Sequence, residues 1–179
     1  MTMTIGHNFD ESQPFVLIVM GVSGCGKTTI AKLLSEKLSI EFVEADDFHS
    51  QQSKDHMAKG LPLTDEMREP WIKALVSYLS QDNKTSKVLA YSGLRKKHRA
   101  RFRRLGMPCI FIHLVVDQEE LQQRINQREN HFMPSSLLAS QFAALDSTST
   151  ETDVIEIDAA KLPQNIIAEI YTALDLRPR

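Results

Sequence analysis

The fold is decided by residues 15–29, Phe-Val-Leu-Ile-Val-Met-Gly-Val-Ser-Gly-Cys-Gly-Lys-Thr-Thr, in which an apolar run passes directly into a glycine-rich loop. The run from Phe15 to Met20 has no polar alternation, which is typical of a central parallel strand covered by helices on both faces. Gly21, Gly24 and Gly26 carry no Cβ, so the backbone can turn tightly and direct successive N–H groups into one concavity. The stretch therefore predicts a phosphate-binding loop.

The residues that follow the loop supply the other groups that a nucleotide requires. A helix predicted from Thr28 to Leu38 adds partial positive charge at its N-terminus, and Lys27 supplies an ammonium group for the β- and γ-phosphates. The hydroxyl of Thr28 is suited to hold Mg²⁺. An ordinary glycine-rich turn is the alternative, but this spacing between strand and helix disfavours it. The residues expected to bind ATP are Gly21, Val22, Ser23, Gly24, Cys25, Gly26, Lys27, Thr28 and Thr29.

Composition indicates one compact α/β domain. The chain has 179 residues, of which 42% are hydrophobic and 25% are charged, and this length suits a single five-stranded sheet with its helices. The net charge of −2 provides no electrostatic case for nucleic acid or membrane binding. Residues 1–14 are polar and resemble a flexible tail rather than a signal peptide, so we expect a single domain over residues 15–179, which begins with the phosphate loop and its strand, and a cytoplasmic location.

The two cysteines, Cys25 and Cys109, do not form a disulfide framework, and both are expected to be reduced thiols. Cys25 lies inside the phosphate loop, next to a predicted helix N-terminus. Such a position lowers the pKa of a thiol, so the sequence predicts that Cys25 is sensitive to oxidation.

Strand and helix patterns alternate along the whole chain. Apolar segments predict strands at residues 15–20, 40–44, 88–91, 109–115 and 154–158, and helical periodicity fills the intervals. This order predicts a doubly wound α/β fold of the nucleoside-monophosphate-kinase type, in which a five-stranded parallel sheet carries helices on both faces.

Acidic residues follow the second predicted strand. Glu44 and Asp46 stand where ligands collect in an open parallel sheet, at the carboxyl ends of the strands. A kinase needs a carboxylate near the transferred phosphoryl group, and Asp46 is suited to that position. The alternative is that Asp46 or Asp47 only caps a helix over residues 48–59.

Basic residues occur in two of the predicted helices. Arg68 lies in the first turn of a helix capped by Thr64, where the helix dipole disfavours a cation unless an anion is near; a solvated side chain is the alternative. The run over residues 95–104 is a solvated face rather than a nucleic-acid patch, because it wraps around several faces of a helix. Only Arg95 and Arg99 are candidates for binding an anionic substrate.

Arg124 and Arg128 share one face of a helix predicted over residues 119–128. A polar break and a second helix over residues 136–145 follow. Paired arginines beside such a break suit a small helical lid, about residues 124–145, that closes over ATP. An exposed helix with salt bridges is an equal alternative. The loop over residues 158–160 is expected near the adenine.

Several short segments resemble the gluconokinase family, the small P-loop carbohydrate kinases that phosphorylate gluconate on its 6-hydroxyl. The resemblance covers residues 15–175. Beyond the phosphate loop it is carried by Asp-Asp-Phe-His at 46–49, Gly-Leu-Pro-Leu-Thr-Asp at 60–65, Arg68 with Pro70-Trp71, Ser92 with Leu94, Arg124 and Arg128, His-Phe-Met-Pro at 131–134, and Ser-Gln-Phe at 140–142 with Leu145.

The resemblance implies a set of roles. Asp46 would orient the acceptor hydroxyl and take its proton, Lys27, Arg124 and Arg128 would stabilise the phosphoryl group, and Thr28 with Glu44 would hold Mg²⁺. The resemblance also implies a homodimer and a sugar-acid substrate, gluconate. The residues expected to bind it are His49, Arg68, Arg95 and His131.

The sequence departs from the family pattern on the substrate side. Glu44 replaces the usual aspartate, and further differences fall at Ser53, His56, Met67, Gly93 and Arg95. These differences leave open a kinase that acts on another sugar acid or a polyol. A nucleotide-binding regulator that has lost catalysis is a third hypothesis, which the intact Lys27 and Asp46 disfavour.

Overall fold

The structure is a computed structural model that describes residues 10–126 and 135–176. Within these ranges the strands are β1 (Val16–Met20), β2 (Glu41–Glu44), β3 (Lys87–Ala90), β4 (Cys109–Val115) and β5 (Val154–Asp158). The helices are α1 (Lys27–Leu38), α2 (Gln51–Ala58), α3 (Asp65–Gln81), α4 (Lys96–Phe102), α5 (Gln118–Asn126), α6 (Ser135–Ala144) and α7 (Pro163–Ala173). A 3₁₀ helix spans Ala45–Phe48.

Some sequence predictions fall outside these ranges. Residues 1–9 of the predicted tail, residues 127–134 of the predicted lid, and residues 177–179 are not described. Arg128 and His131 are therefore outside the described residues, and the boundaries of the tail and the lid stay predictions. In the part of the chain that the structure describes, no helix is long and apolar enough to cross a membrane.

The five strands form one parallel sheet in the order β2-β3-β1-β4-β5. Strand β1 lies at the centre, and Val16 is in register with both Lys87 of β3 and Cys109 of β4. All five residues of β1 are buried, as the unbroken apolar run predicts. The chain therefore crosses to opposite sides of β1, which confirms the predicted doubly wound sheet and places a crevice at the carboxyl ends of the strands.

Alternate residues of β1 contribute to two cores on opposite faces of the sheet. Leu17 and Val19 pack in a cluster with side chains of α1, α5 and α7, whereas Val16, Ile18 and Met20 pack in a cluster with α3 and α4. Trp71 belongs to the second cluster and is 5% exposed. Its indole N–H donates to the carbonyl of Ala45 at 2.6 Å, so α3 also fixes the 3₁₀ helix that follows β2.

The segment after β2 differs from the sequence prediction. The sequence predicts a helix over residues 48–59, with capping by Asp46 or Asp47 as the alternative to a catalytic role for Asp46, but the chain forms the short 3₁₀ helix first and α2 begins after Ser50. The Ser50 hydroxyl accepts from the N–H of Ser53 at 3.1 Å and is the actual N-cap. His49, in extended conformation, separates the two helices. Asp46 therefore caps neither of them, and its carboxylate remains available.

Arg99 corrects the prediction that this residue is a candidate for binding an anionic substrate. The side chain is completely buried, and its Nη1 donates to the carbonyl oxygens of Gly93 at 2.6 Å and Leu94 at 3.1 Å. Its Nη2 donates to the carbonyl of Asp146 at 3.2 Å and pairs with Glu151. Because every one of these partners is structural, Arg99 holds the fold together and does not reach a ligand.

Glu151 completes this buried cluster. Its carboxylate is 4% exposed and pairs with both Arg99 and Arg103. Burial raises the pKa of Glu151, but hydrogen bonds and ion pairs with the two arginines outweigh burial and bring the pKa below its ordinary value of 4.5. A carboxylate whose pKa is lowered by folding stabilises the native state above pH 4.5, and this contribution is lost as pH falls through the lowered value.

We predict that Glu151→Gln lowers the free energy of unfolding at pH 7 by about 3–5 kcal/mol, because the change leaves the Arg99 charge buried without its counterion. The matched substitution Glu36→Gln, on the exposed face of α1, should change it by less than about 0.5 kcal/mol. Urea unfolding followed by circular dichroism measures both values. The wild type should also lose more stability than Glu151→Gln below pH 4.5; equal pH profiles would contradict this assignment.

Candidate active site

A cavity of about 740 Å³ lies at the carboxyl edge of the sheet. Its wall is formed by the phosphate loop, the 3₁₀ helix, α2 with the turn after it, α3, the segment after β3, and α6. The elements that the doubly wound topology brings to one edge therefore enclose a volume suited to a small molecule.

Three glycines shape the phosphate loop. Gly21 has φ +142°, and a Cβ there would lie 2.8 Å from Cys25 Sγ and 2.9 Å from the carbonyl oxygen of Leu114. A Cβ on Gly24 would lie 3.1 Å from Ile125 Cδ1, because the loop backbone packs directly on α5. Gly26 has φ +104°, and the place of its missing Cβ is open, with no atom within 4 Å. The loop is thus closely packed at two glycines and open at the third, a form that fits a phosphate group.

The loop lysine and the first threonine of α1 have partners within the protein. Lys27 Nζ donates to the carbonyl of Val22 at 3.1 Å. Thr28 Oγ1 donates to Glu44 Oε2 at 2.7 Å, so a hydroxyl and a carboxylate meet at the base of the loop. Oxygen ligands of this kind fit a hard divalent cation such as Mg²⁺. In residues 10–126 and 135–176 no group of three His, Cys, Asp or Glu side chains forms a metal cluster.

Asp46 stands at the edge of the cavity on the 3₁₀ helix. Its side chain is 79% exposed, whereas His49, which lies 3.6 Å from Asp46 Oδ1 through Nε2, is 4% exposed. The His49 ring stacks on Trp71 with ring centroids 4.0 Å apart. Interaction with His49 is the largest cause that lowers the pKa of Asp46, and the charges of Lys27 and Lys54 lower it further. Asp46 is consequently an ionised carboxylate at neutral pH.

Arg68 also lines the cavity, and its predicted anionic neighbour is present within the protein. Arg68 Nη1 lies 3.1 Å from Asp65 Oδ1. Asp65 in turn lies 2.6 Å from Lys97 Nζ, so one carboxylate is shared by two cations. This arrangement leaves net positive charge beside the cavity.

Two of the predicted site arginines lie away from the cavity wall. Arg95 is half-buried, with Nη1 3.5 Å from Asp146 Oδ1, and its buried Nε has no hydrogen-bond partner. Arg124 Nη1 donates to the carbonyl of Ala159 at 3.0 Å, and the same guanidinium pairs with Glu120. Arg124 therefore contacts the loop after β5 that the sequence predicts near the adenine. The structure brings Asp46, His49 and Arg68 together, and it places these two arginines elsewhere.

Among the described residues, five polar residues of the cavity wall are absent from the predicted site: Lys54, Lys59, Ser92, Ser140 and Gln141. Lys54 lies on α2, and its positive charge lowers the pKa of Asp46. Gln141 lies on α6 and makes two hydrogen bonds with Ser23 of the phosphate loop. Gln141 carried a usable signal, because it is a lone amide within the otherwise apolar or small segment over residues 137–144. Lys54 carried none, since a lysine on a polar helix is ordinarily solvated.

Comparison with known proteins adds the family. The model of the AAA domain family matches residues 16–151. A gluconokinase of Gluconobacter oxydans is 38% identical over 160 residues, which are 88% of this chain and 90% of that protein. The thermosensitive gluconokinase of Escherichia coli strain K12 is 41% identical over 146 residues, or 79% and 77% of the two chains. The chain belongs to the gluconokinase family.

Solved structures agree with this membership. A gluconokinase from Sinorhizobium meliloti superposes with a TM-score of 0.84 at 30% identity, covering 94% of each chain. Shikimate kinase from Aquifex aeolicus superposes with a TM-score of 0.62 at 16% identity, covering 89% of this chain and 96% of that one, a likeness of fold alone. The predicted P-loop kinase fold is confirmed. As a member of a P-loop kinase family, the protein uses ATP and a divalent metal ion.

Cys25 differs from the sequence prediction. Its side chain is buried, and burial raises the pKa of the thiol more than the positive charge of Lys27 lowers it. Desolvation of the thiolate therefore raises the pKa more than the helix N-terminus lowers it. The prediction that Cys25 is an oxidation-sensitive thiol with a lowered pKa is wrong. Cys109 is also largely buried, and burial raises its pKa to about 12.

We predict that neither thiol reacts readily in the native protein. Alkylation by iodoacetamide at pH 7.5 should be at least about tenfold slower in native than in urea-unfolded protein at both positions, since the reactive thiolate is scarce and buried. Mass spectrometry of peptides from a time course measures each rate separately. Rapid labelling of Cys25 in the folded protein would contradict the burial described here.

Proposed function

We propose that the protein is an ATP-dependent gluconokinase that transfers the γ-phosphoryl group of ATP to the 6-hydroxyl of gluconate, with Mg²⁺ as the divalent ion. The observation that carries this proposal is the ionised carboxylate of Asp46, which stands exposed in a cavity lined by cationic side chains beside the phosphate loop. Relatives named as gluconokinases in bacteria and plants support the substrate class.

In this proposal Asp46 acts on the acceptor. Its carboxylate accepts the hydrogen bond of the reacting hydroxyl, orients the oxygen toward the phosphorus atom, and receives the proton as the new P–O bond forms. Since its pKa is lowered, the group is ready as an acceptor across the neutral pH range. The buried, stacked ring of His49 fixes the position of this carboxylate and faces the sugar acid.

Residues of the phosphate loop act on the nucleotide. Lys27 exchanges the carbonyl of Val22 for phosphate oxygens, and Thr28 with Glu44 supplies protein oxygens for Mg²⁺. When bound, this ion neutralises charge that develops on the phosphate oxygens. Arg124 and Arg128 remain the proposed stabilisers of the transferred group; Arg124 would have to leave the carbonyl of Ala159 to do so.

The cation-rich wall binds the carboxylate and hydroxyl groups of the sugar acid. Arg68 offers a guanidinium group, and Lys54, whose charge also acts on Asp46, adds an ammonium group. His131 remains a proposed substrate contact, and Arg95 would have to leave the carboxylate of Asp146 to become one. A homodimer, a cytoplasmic location and a lid over residues 124–145 that excludes water belong to the same proposal.

The departures from the family pattern favour gluconate over another acceptor. Ser53, His56, Met67, Gly93 and Arg95 are not among the residues that line the cavity. Ser53 is buried and bonds to Ser50, and His56 Nε2 lies 3.2 Å from the carbonyl of Pro62, so both stabilise local backbone. Gly93 has φ +61°, and a Cβ there would lie 3.0 Å from Met20 Cβ. These changes therefore alter the support of the cavity rather than its lining.

The first test is the rate of ADP release from purified protein with Mg²⁺-ATP and a panel of gluconate, other aldonates, polyols, shikimate and nucleoside monophosphates. We expect turnover with gluconate at a kcat/KM at least about tenfold above every other acceptor. Turnover confined to another acceptor would reassign the substrate. Absence of turnover, with ATP still bound, would favour the regulatory hypothesis.

We predict that Asp46→Asn lowers kcat by about 10²–10⁴-fold, because the amide keeps the shape of the side chain and removes the proton acceptor. The dissociation constant for ATP, measured by isothermal titration calorimetry, should stay near the wild-type value. Asp47→Asn is the matched control, since Asp47 is an exposed neighbour that does not line the cavity. Equal turnover of Asp46→Asn and wild type would remove Asp46 from the mechanism.

A further inference from the structure

Gln141 connects α6 with the phosphate loop through two hydrogen bonds. Its Oε1 accepts from the backbone N–H of Ser23 at 2.7 Å, and its Nε2 donates to Ser23 Oγ at 2.8 Å. Both residues also line the acceptor cavity. The amide of Gln141 thus stands at the junction between the loop for the nucleotide and the cavity for the second substrate.

Ser23 lies within the glycine-rich loop, between Gly21 and Gly24, and backbone N–H groups of such loops are the donors that bind phosphate. In the structure its donor capacity is taken by a neutral amide oxygen, just as the ammonium group of Lys27 is taken by the carbonyl of Val22. Hydrogen bonds from such donors to a charged phosphate are about twice as strong as those to a neutral acceptor. A triphosphate oxygen that reaches the Ser23 N–H would therefore displace the amide oxygen of Gln141.

We propose that Gln141 is a positioning residue that couples the two substrate sites. In the structure its amide is held on Ser23; when a triphosphate occupies the loop, the amide is released into the cavity and hydrogen-bonds to hydroxyl groups of the acceptor. The identity of that acceptor rests on the proposed function, whereas the exchange at Ser23 does not. The amide oxygen and nitrogen match the acceptor and donor capacity of a polyhydroxy acid.

The exchange has a thermodynamic consequence. If the nucleotide frees a group that binds the acceptor, each ligand must tighten the binding of the other by the same factor. One neutral hydrogen bond corresponds to a change of about threefold to tenfold in a dissociation constant. We therefore expect a non-hydrolysable ATP analogue with Mg²⁺ to lower the Kd for gluconate by about threefold to tenfold.

The protein contains its own probe for this measurement. Trp71 is the single tryptophan of the chain, lines the cavity and stacks on His49, so its fluorescence responds to occupation of the acceptor site. Gluconate is titrated with and without the analogue, and calorimetry measures the analogue alone. The variants are Gln141→Leu, which removes both polar atoms at similar volume, Gln141→Glu, and the matched control Gln164→Leu on the exposed first turn of α7.

The two Gln141 variants are expected to change the affinity for the analogue in opposite directions. Gln141→Leu no longer competes for Ser23, so the analogue should bind about threefold to tenfold more tightly, and the coupling to gluconate should vanish. Gln141→Glu places a carboxylate on the same donor and repels phosphate, so the analogue should bind more weakly than in wild type. Gln164→Leu should match wild type in both measurements. A residue that only packs α6 would weaken binding in both Gln141 variants.

Three results would overturn the inference: a gluconate Kd in wild type that the analogue does not change, coupling that persists in Gln141→Leu, or an analogue affinity that Gln141→Leu leaves equal or weaker. Failure of the proposed function is distinguishable. If gluconate does not bind, the acceptor that is active in the turnover panel takes its place in the titration. If no acceptor binds, the analogue affinities of the two Gln141 variants decide alone, because the exchange at Ser23 needs no acceptor.

Discussion

A buried guanidinium group determines how the walls of the active cavity are arranged. Arg99 has no exposed surface, and it binds the carbonyl oxygens that follow β3, those that follow α6, and the carboxylate of Glu151. A buried cation is tolerated only when its donors are satisfied, so the segments that satisfy it cannot move independently. Together with the hydrogen bonds from the Gly21 N–H to the Ser92 carbonyl and from the Asp146 N–H to the Leu94 carbonyl, Arg99 fixes these segments of the cavity wall.

The phosphate loop is likewise held by contacts with two helices, α5 and α6. Its backbone at Gly24 packs on Leu121 and Ile125 of α5, and a Cβ on Gly24 would lie about 3 Å from both of these side chains. From the side, Ser23 is bonded to Gln141 of α6. Helix α6, which lies within the predicted lid, and α5, which overlaps its start, therefore both contact the loop, so the loop and these two helices form one packed unit.

The sequence predicts those parts that depend on local pattern. The bounds of β4 and β5 agree with prediction because each is an apolar or alternating run between clear breaks, and Thr64 caps α3 as expected. Features that depend on packing were missed. The sequence of a mainly basic helix does not indicate that Arg99 is its buried member. The direction of the Cys25 pKa shift depends on whether burial raises the pKa more than nearby positive charge lowers it. The ion pair of Arg95 with Asp146 was not predicted for the same reason, since Asp146 is distant in sequence.

The central position of β1 has a consequence for biosynthesis. Val16 pairs with Lys87 on one side and with Cys109 on the other, so the first strand made has no partner until much of the chain has been synthesised. Its run of buried apolar residues must wait for β3 and β4, and non-local parallel pairing of this kind forms slowly. This strand, which leads into the predicted phosphate loop, therefore stays an exposed apolar segment until β3 and β4 have been synthesised.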